Sequence, residues 1–183
     1  MPTIATVPAR YSHTARALHW AMALGLLGLV AAGAWMVDLP FSPQRLKLYN
    51  WHKWAGIVML GLLLARLLWR LTHRPPTPLP MPAAQAALAH AVHALLYLLM
   101  LAIPLMGWAY SSAAGFPVVL FGLWPLPDWV GKDPALAEAL KPWHGRLAWA
   151  LVALVALHVL GALKHHFWNR DGLLTRMAWS FRR

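Results

Sequence analysis

The stretch 141–168, KPWHGRLAWALVALVALHVLGALKHHFW, decides how the rest of the chain is read. Its core is apolar, holds no acidic residue, and carries His144 and His158 fourteen residues apart. Fourteen residues is close to four helical turns, so both imidazoles leave nearly the same face, about 21 Å apart along the axis. A helix of this length and apolarity crosses a hydrocarbon core, where an ionisable side chain is costly and marks function. Two other apolar segments carry a histidine at a matching depth, His19 and His52. Four imidazoles at two depths outline two bis-imidazole metal sites stacked across a bilayer.

Composition agrees with a membrane chain. Of 183 residues, 60% are hydrophobic and only 11% are charged, more apolar surface than a soluble domain of this size covers. There is no cysteine, which excludes disulfides, thiolate ligands, iron–sulfur clusters and covalent haem attachment. The net charge of +11 is not gathered into one polar domain but flanks the apolar runs, so it points to membrane orientation and not to nucleic acid. H-E-x-x-H, G-x-x-x-x-G-K-[ST] and G-x-G-x-x-G motifs are missing. Metalloprotease, nucleotide and flavin chemistry therefore find no support, and so few acidic residues argue against a proton pump built on buried carboxylates.

Four spans follow, at about 17–36, 51–71, 86–110 and 143–168, giving one all-α domain over 1–183, an antiparallel four-helix bundle. Pro104 marks a kink in the third. The first resembles a signal peptide but is longer than a usual apolar core and begins with His-Trp, so it is read as a retained span. The linker THRPPTPLPMP (72–82) is too proline-rich for a helix. In the longer connection 111–142, Asp133-Pro134 reads as a cap opening a short helix that Lys141-Pro142 closes. Residues 116–127 are apolar but too short to span, and are read as a lid on the membrane surface.

With both termini on one side, that side holds Arg10, Arg16, Arg66, Arg70, Arg74, Lys164, Arg170, Arg176, Arg182 and Arg183. The other holds Arg45, Lys47, Lys53, Lys132, Lys141 and Arg146, with four of the five acidic residues. The positive-inside rule puts both termini in the cytoplasm. Trp35, Trp51, Trp54, Trp108, Trp143 and Trp168 fall near span ends, where aromatic belts form.

Depth pairs His52 with His144 on the periplasmic side and His19 with His158 on the cytoplasmic side. Facing helices then supply one imidazole to each face of a six-coordinate iron. Arg66 lies fourteen residues after His52 and reaches the inner depth on the same face, a guanidinium placed for a haem propionate. Arg16, Lys53, Lys141 and Arg146 stand beside the histidines and are further propionate candidates; the last three also suit an incoming anion. Gly25, Gly28, Gly56 and Gly161 offer room for a porphyrin or ordinary close helix packing, and glycine alone does not decide between them. His90 and His93 could be ligands, but they sit one turn apart at one depth with no outer partner, and His13 and His73 read as interfacial side chains. His165, His166 and Lys164 read either as a basic membrane flank or as a proton-handling group for a quinone.

The segments RYSHTARALHW (10–20), YNWHKWAGI (49–57), ARLLWRL (65–71), AHAVHALLYLLMLAIPLMGW (89–108), KPWHGRLAW (141–149) and LHVLGALKHHFW (157–168) resemble the bacterial cytochrome b561 family. That family is related to the b-type cytochrome subunits of nickel–iron hydrogenases. The resemblance covers nearly the whole chain and implies an inner-membrane, respiratory-chain protein with two non-covalent b haems. It matches the ligands to His19, His52, His144 and His158, paired as depth pairs them. It also implies electron transfer between ubiquinol or ubiquinone and a periplasmic partner, with superoxide one such partner. Three readings stay open: a stand-alone quinol or superoxide oxidoreductase, a haem relay anchoring a dehydrogenase or hydrogenase, and a histidine-rich metal transporter without haem. A homodimer would suit so thin a bundle.

Overall fold

A computed structural model describes residues 10–178, so Arg182 and Arg183 lie outside the described residues. Its body is four α-helices: α1 His13–Met36, α2 Pro43–Thr72, α3 Ala83–Ala113 and α4 Pro134–Lys164. Helices of 24 to 31 residues are roughly 36 to 46 Å long, more than the ~30 Å of a hydrocarbon core. All four are long and apolar enough to cross a membrane. Leu24, Leu27, Leu68, Leu98 and Leu160 are each more than half exposed, which water would penalise and lipid does not. The protein is a multi-pass membrane bundle.

Three of the four helix starts, those of α1, α2 and α4, are capped by a side chain. Ser12 Oγ accepts from the Ala15 amide at 3.2 Å, and Ser42 Oγ accepts from the Arg45 amide at 3.2 Å ahead of Pro43. Asp133 Oδ1 accepts from the Leu136 amide at 3.0 Å, with Pro134 in the first turn. The helix opened there does not close at Lys141-Pro142, contrary to the sequence reading. It runs unbroken into the fourth span, with Pro142 inside it. Pro142 forfeits only the bond its amide would have made to the Glu138 carbonyl, and Glu138 is exposed at the wet end, where water satisfies that oxygen.

Residues 116–127 form a hairpin: β1 Val119–Leu120 pairs antiparallel with β2 Trp124–Pro125. Its turn has positive φ at Phe121 (54°) and Gly122 (73°), the pair of left-handed residues that tight hairpin turns favour. The hairpin is docked on α2. Trp54 Nε1 donates to the Val119 carbonyl at 2.7 Å, and Lys53 Nζ donates to the Phe116 and Pro117 carbonyls at 3.3 and 3.4 Å. Val118 is buried beneath it.

Two apolar clusters hold the bundle. Met22, Met59, Leu60 and Leu63 join α1 to α2, and Val92, Leu96 and Leu151 join α3 to α4. α3 also packs on α2, whereas α4 makes little close backbone contact with α1 or α2. The space this leaves is the space the histidines face.

Past α4 the chain makes a π-turn, His165–Asn169, reverses through Arg170 (φ 51°) and Gly172 (φ 75°), and forms a 3-10 turn, Leu174–Arg176. This segment folds back under the bundle. The Arg176 carbonyl accepts from the Tyr11 amide at 3.2 Å, and those of Met177 and Ala178 accept from Trp20 Nε1 and Arg16 Nη1, both at 2.9 Å. Arg176 Nη1 donates to the Thr77 carbonyl at 2.7 Å.

Candidate functional site

The four span histidines form two facing pairs. His19 on α1 and His158 on α4 have ring centroids 6.2 Å apart with planes at 71°. His52 on α2 and His144 on α4 have centroids 6.2 Å apart with planes at 77°. A metal–imidazole bond of about 2 Å plus roughly 1 Å from ring nitrogen to centroid, doubled, comes to about 6 Å. One ion fits between each pair. Among the described residues, no three His, Cys, Asp or Glu side chains converge on one point. An ion held by only two imidazoles would need further ligands that no described side chain offers, and a porphyrin would supply them.

Surrounding atoms fit the same group. His52 Nδ1 is buried with no hydrogen-bond partner among the described residues. A methyl added at Gly56, one turn after His52, or at Gly161, three residues after His158, would meet nothing within 4 Å, so both leave open space on the histidine-bearing faces. Gly28, nine residues after His19, is exposed on the opposite face and offers a porphyrin nothing. Gly25 is different. A Cβ there would lie 2.6 Å from Met59 Sδ, so its glycine serves the α1–α2 contact. Two glycines that the sequence reading passed over lie against the rings instead. A Cβ on Gly33 would come within 3.2 Å of His52 Cε1, and one on Gly107 within 2.9 Å of His144 Cε1. His144 rests directly on the α3 backbone, where its Nδ1 donates to the Ile103 carbonyl at 3.2 Å. That bond fixes the ring orientation and leaves Nε2 for a metal.

His93, disfavoured on depth for want of a partner, lies with its ring 5.1 Å from that of His158, edge to face. His90 is exposed, His73 stacks on Trp69 at 3.5 Å, and His13 accepts from Arg16.

The basic candidates divide by where they point. Arg66 is half-buried; Nε donates to the Tyr97 hydroxyl at 3.2 Å and Nη1 to the Ala15 carbonyl at 2.9 Å, one turn before His19. Arg16 is buried and turned towards the returning segment at Ala178. Lys53 holds the hairpin, and with Asn50, Trp54 and Gly122 it lines a cavity of about 270 Å³ between α2 and the hairpin. Lys141 is exposed, and the Arg146 guanidinium lies 5.1 Å over the Trp143 ring.

His165 and His166 part company. His165 is buried; its Nδ1 pairs with the Asp171 carboxylate and its Nε2 accepts from Gln85 Nε2 at 2.8 Å. Burial alone would raise the Asp171 pKa, but the hydrogen bonds from His165 and the Leu173 amide outweigh it and hold the group below the usual carboxylate range. His166 and Lys164 are exposed, with the His166 ring against Phe167.

A membrane four-helix bundle with two facing imidazole pairs has the framework of a membrane cytochrome b. Residues 10–180 match the family model described as prokaryotic cytochrome b561. The chain is 38% identical to cytochrome b561 homolog 2 of Escherichia coli K12, over 93% of this chain and 92% of that one. It is 33% identical to a Yersinia pestis protein named "Probable superoxide oxidase CybB" (92% and 95%), and 31% identical to cytochrome b561 homolog 1 of Escherichia coli K12 (92% and 96%). The chain belongs to the prokaryotic cytochrome b561 family, a membership that implies b-type haem and electron transport.

Proposed function

We propose that this protein carries electrons across the bacterial inner membrane through two b haems, from a periplasmic donor to ubiquinone, with both termini in the cytoplasm. One haem would be held by His52 and His144 and the other by His19 and His158. The carrying observation is the 6.2 Å centroid separation in both pairs. Bound haem supplies a one-electron redox centre. The protein's share is positional. α4 contributes one imidazole to each site, and its fourteen-residue interval sets the centres about 21 Å apart along the axis. The lipid-facing leucines keep water from the path, and Arg66 stands ready to neutralise a propionate.

Superoxide is the donor that fits the name of the Yersinia relative. Two superoxide anions would each give up one electron and leave as dioxygen. The two electrons and two protons would convert one ubiquinone to ubiquinol. Lys53, Lys141 and Arg146 supply the positive charge that draws an anion to the periplasmic end. The buried His165–Asp171 pair, in reach of Gln85, is the proton-handling candidate at the other end, with Lys164 and His166 as its exposed neighbours.

The test is a reduced-minus-oxidised spectrum with haem quantified per chain, for wild type, His19→Ala and His52→Ala. Two low-spin haems in wild type, with each variant losing a different one, is the expected result. No haem, or a haem content that neither substitution changes, overturns the ligand assignment. Superoxide-dependent reduction of a ubiquinone analogue then tests the donor, and its absence in a fully haem-loaded protein rejects superoxide.

A further inference from the structure

At the end of the bundle where α1 begins and α2 ends, a cavity of about 490 Å³ opens between the two helices and the proline linker. Four arginines line it: Arg66, half-buried, and the exposed Arg10, Arg70 and Arg74. No carboxylate lines it. The chain has five acidic residues, and of these Asp38, Asp128, Asp133 and Glu138 belong to the opposite end of the bundle. The fifth, Asp171, is taken by His165, the one ion pair among the described residues. Four cations thus converge on one hollow without an anion from their own chain.

Dispersed arginines at a helix end would serve orientation alone. These share a built wall: Trp69 donates Nε1 to Ser12 Oγ at 3.0 Å and stacks on His73, while Tyr97 is fixed by Arg66. We propose that the cavity is a binding site for a phosphate-bearing anion, and that its occupant is the headgroup of an acidic phospholipid. A basic pocket between spans at the interface suits such a headgroup, because arginine matches phosphate oxygens and the aromatic wall sits at headgroup level. Exposed Leu64, Leu68 and Leu71 on α2 give the acyl chains an apolar surface to follow. The site shares Arg66 with the proposed propionate contact, while Arg10, Arg70 and Arg74 have no part in the electron-transfer reading and carry the inference.

The experiment uses full-length, haem-loaded protein in neutral detergent, as wild type, Arg70→Gln/Arg74→Gln and Arg10→Gln. Arg66 is left intact so that any propionate role stays undisturbed. Phosphatidylglycerol, phosphatidylcholine and inorganic phosphate are titrated separately, with bound lipid counted by native mass spectrometry and unfolding followed thermally. Phosphatidylglycerol should bind and raise the unfolding midpoint, with phosphatidylcholine inert. The double variant should bind it roughly 30-fold more weakly, at about fivefold per basic residue near a lipid surface. Arg10→Gln should show about a fivefold loss. Equal binding of phosphatidylglycerol by wild type and both variants overturns the site. Stabilisation by inorganic phosphate matching that by phosphatidylglycerol overturns the lipid as occupant and assigns the pocket to a soluble anion. Loss of haem from the double variant overturns it too, since these arginines would then belong to the haem.

Discussion

Replacing Gly107 by alanine is the sharpest perturbation of the His52–His144 site. The new Cβ would sit 2.9 Å from His144 Cε1 and 3.2 Å from Nδ1. Carbon atoms settle at about 3.5–4.0 Å, so the ring must withdraw from α3 by roughly 0.6–1.1 Å. Its hydrogen bond to the Ile103 carbonyl is already 3.2 Å long. Because Ile103 and Gly107 share that face of α3, the retreat stretches the bond to about 3.8 Å or more, beyond hydrogen-bonding range. Losing a bond that orients a metal-bound histidine typically costs about 10- to 100-fold in affinity or activity. Gly107→Ala should therefore lose, or shift in midpoint potential, the same haem that His52→Ala removes, and leave the other untouched. Haem per chain and a redox titration read this out. Gly61→Ala is the control: it lies nine residues after His52, about two and a half turns away and so on the opposite face, and its Cβ meets nothing within 4 Å. Two haems with unaltered potentials in Gly107→Ala would refute the hypothesis that His144 is a ligand held against α3.

Other expectations follow from the same contacts. Gly25→Ala should lower stability by about 1–3 kcal/mol through overpacking on Met59, seen as a lower thermal midpoint that Met59→Ala in the same chain partly restores. Trp54→Phe removes the 2.7 Å bond to the Val119 carbonyl, at a cost of about 1 kcal/mol, and should speed protease cleavage within 116–127. An unchanged cleavage rate would mean that bond does not hold the hairpin. Asp171, with its pKa depressed in the folded protein, contributes stability that is complete above its unfolded pKa of about 3.9 and is lost as pH falls through the folded value. Asp171→Asn should therefore flatten the acid side of the stability curve, and an undiminished acid-side slope would exclude the His165 pair as its source.

The spans and the two depths were legible because apolar length and a fourteen-residue interval are properties of one helix. Pro142 misled because proline was weighed as a stop, while its position close to the wet end of α4 makes the missing bond cheap. The hairpin left a weak trace, two-residue strands with a single left-handed glycine that periodicity does not register. The contacts of Gly33, Gly107 and His93 were illegible for another reason. Each residue touches a histidine on a different helix, and only the packing of α1 on α2 and of α3 on α4 brings them together.

The returning segment that seals one end of the bundle also sets a clock. Trp20 Nε1 and its acceptor, the Met177 carbonyl, are 157 residues apart in the chain. At about 5–20 residues per second of synthesis, the second partner follows the first by roughly 8 to 30 seconds. Through that interval α1 must stay in the bilayer on its own apolarity, without the stitch that later fixes it. A ribosome pause anywhere between residues 20 and 177 lengthens that wait, so slowed translation of the later spans should lower the yield of assembled protein.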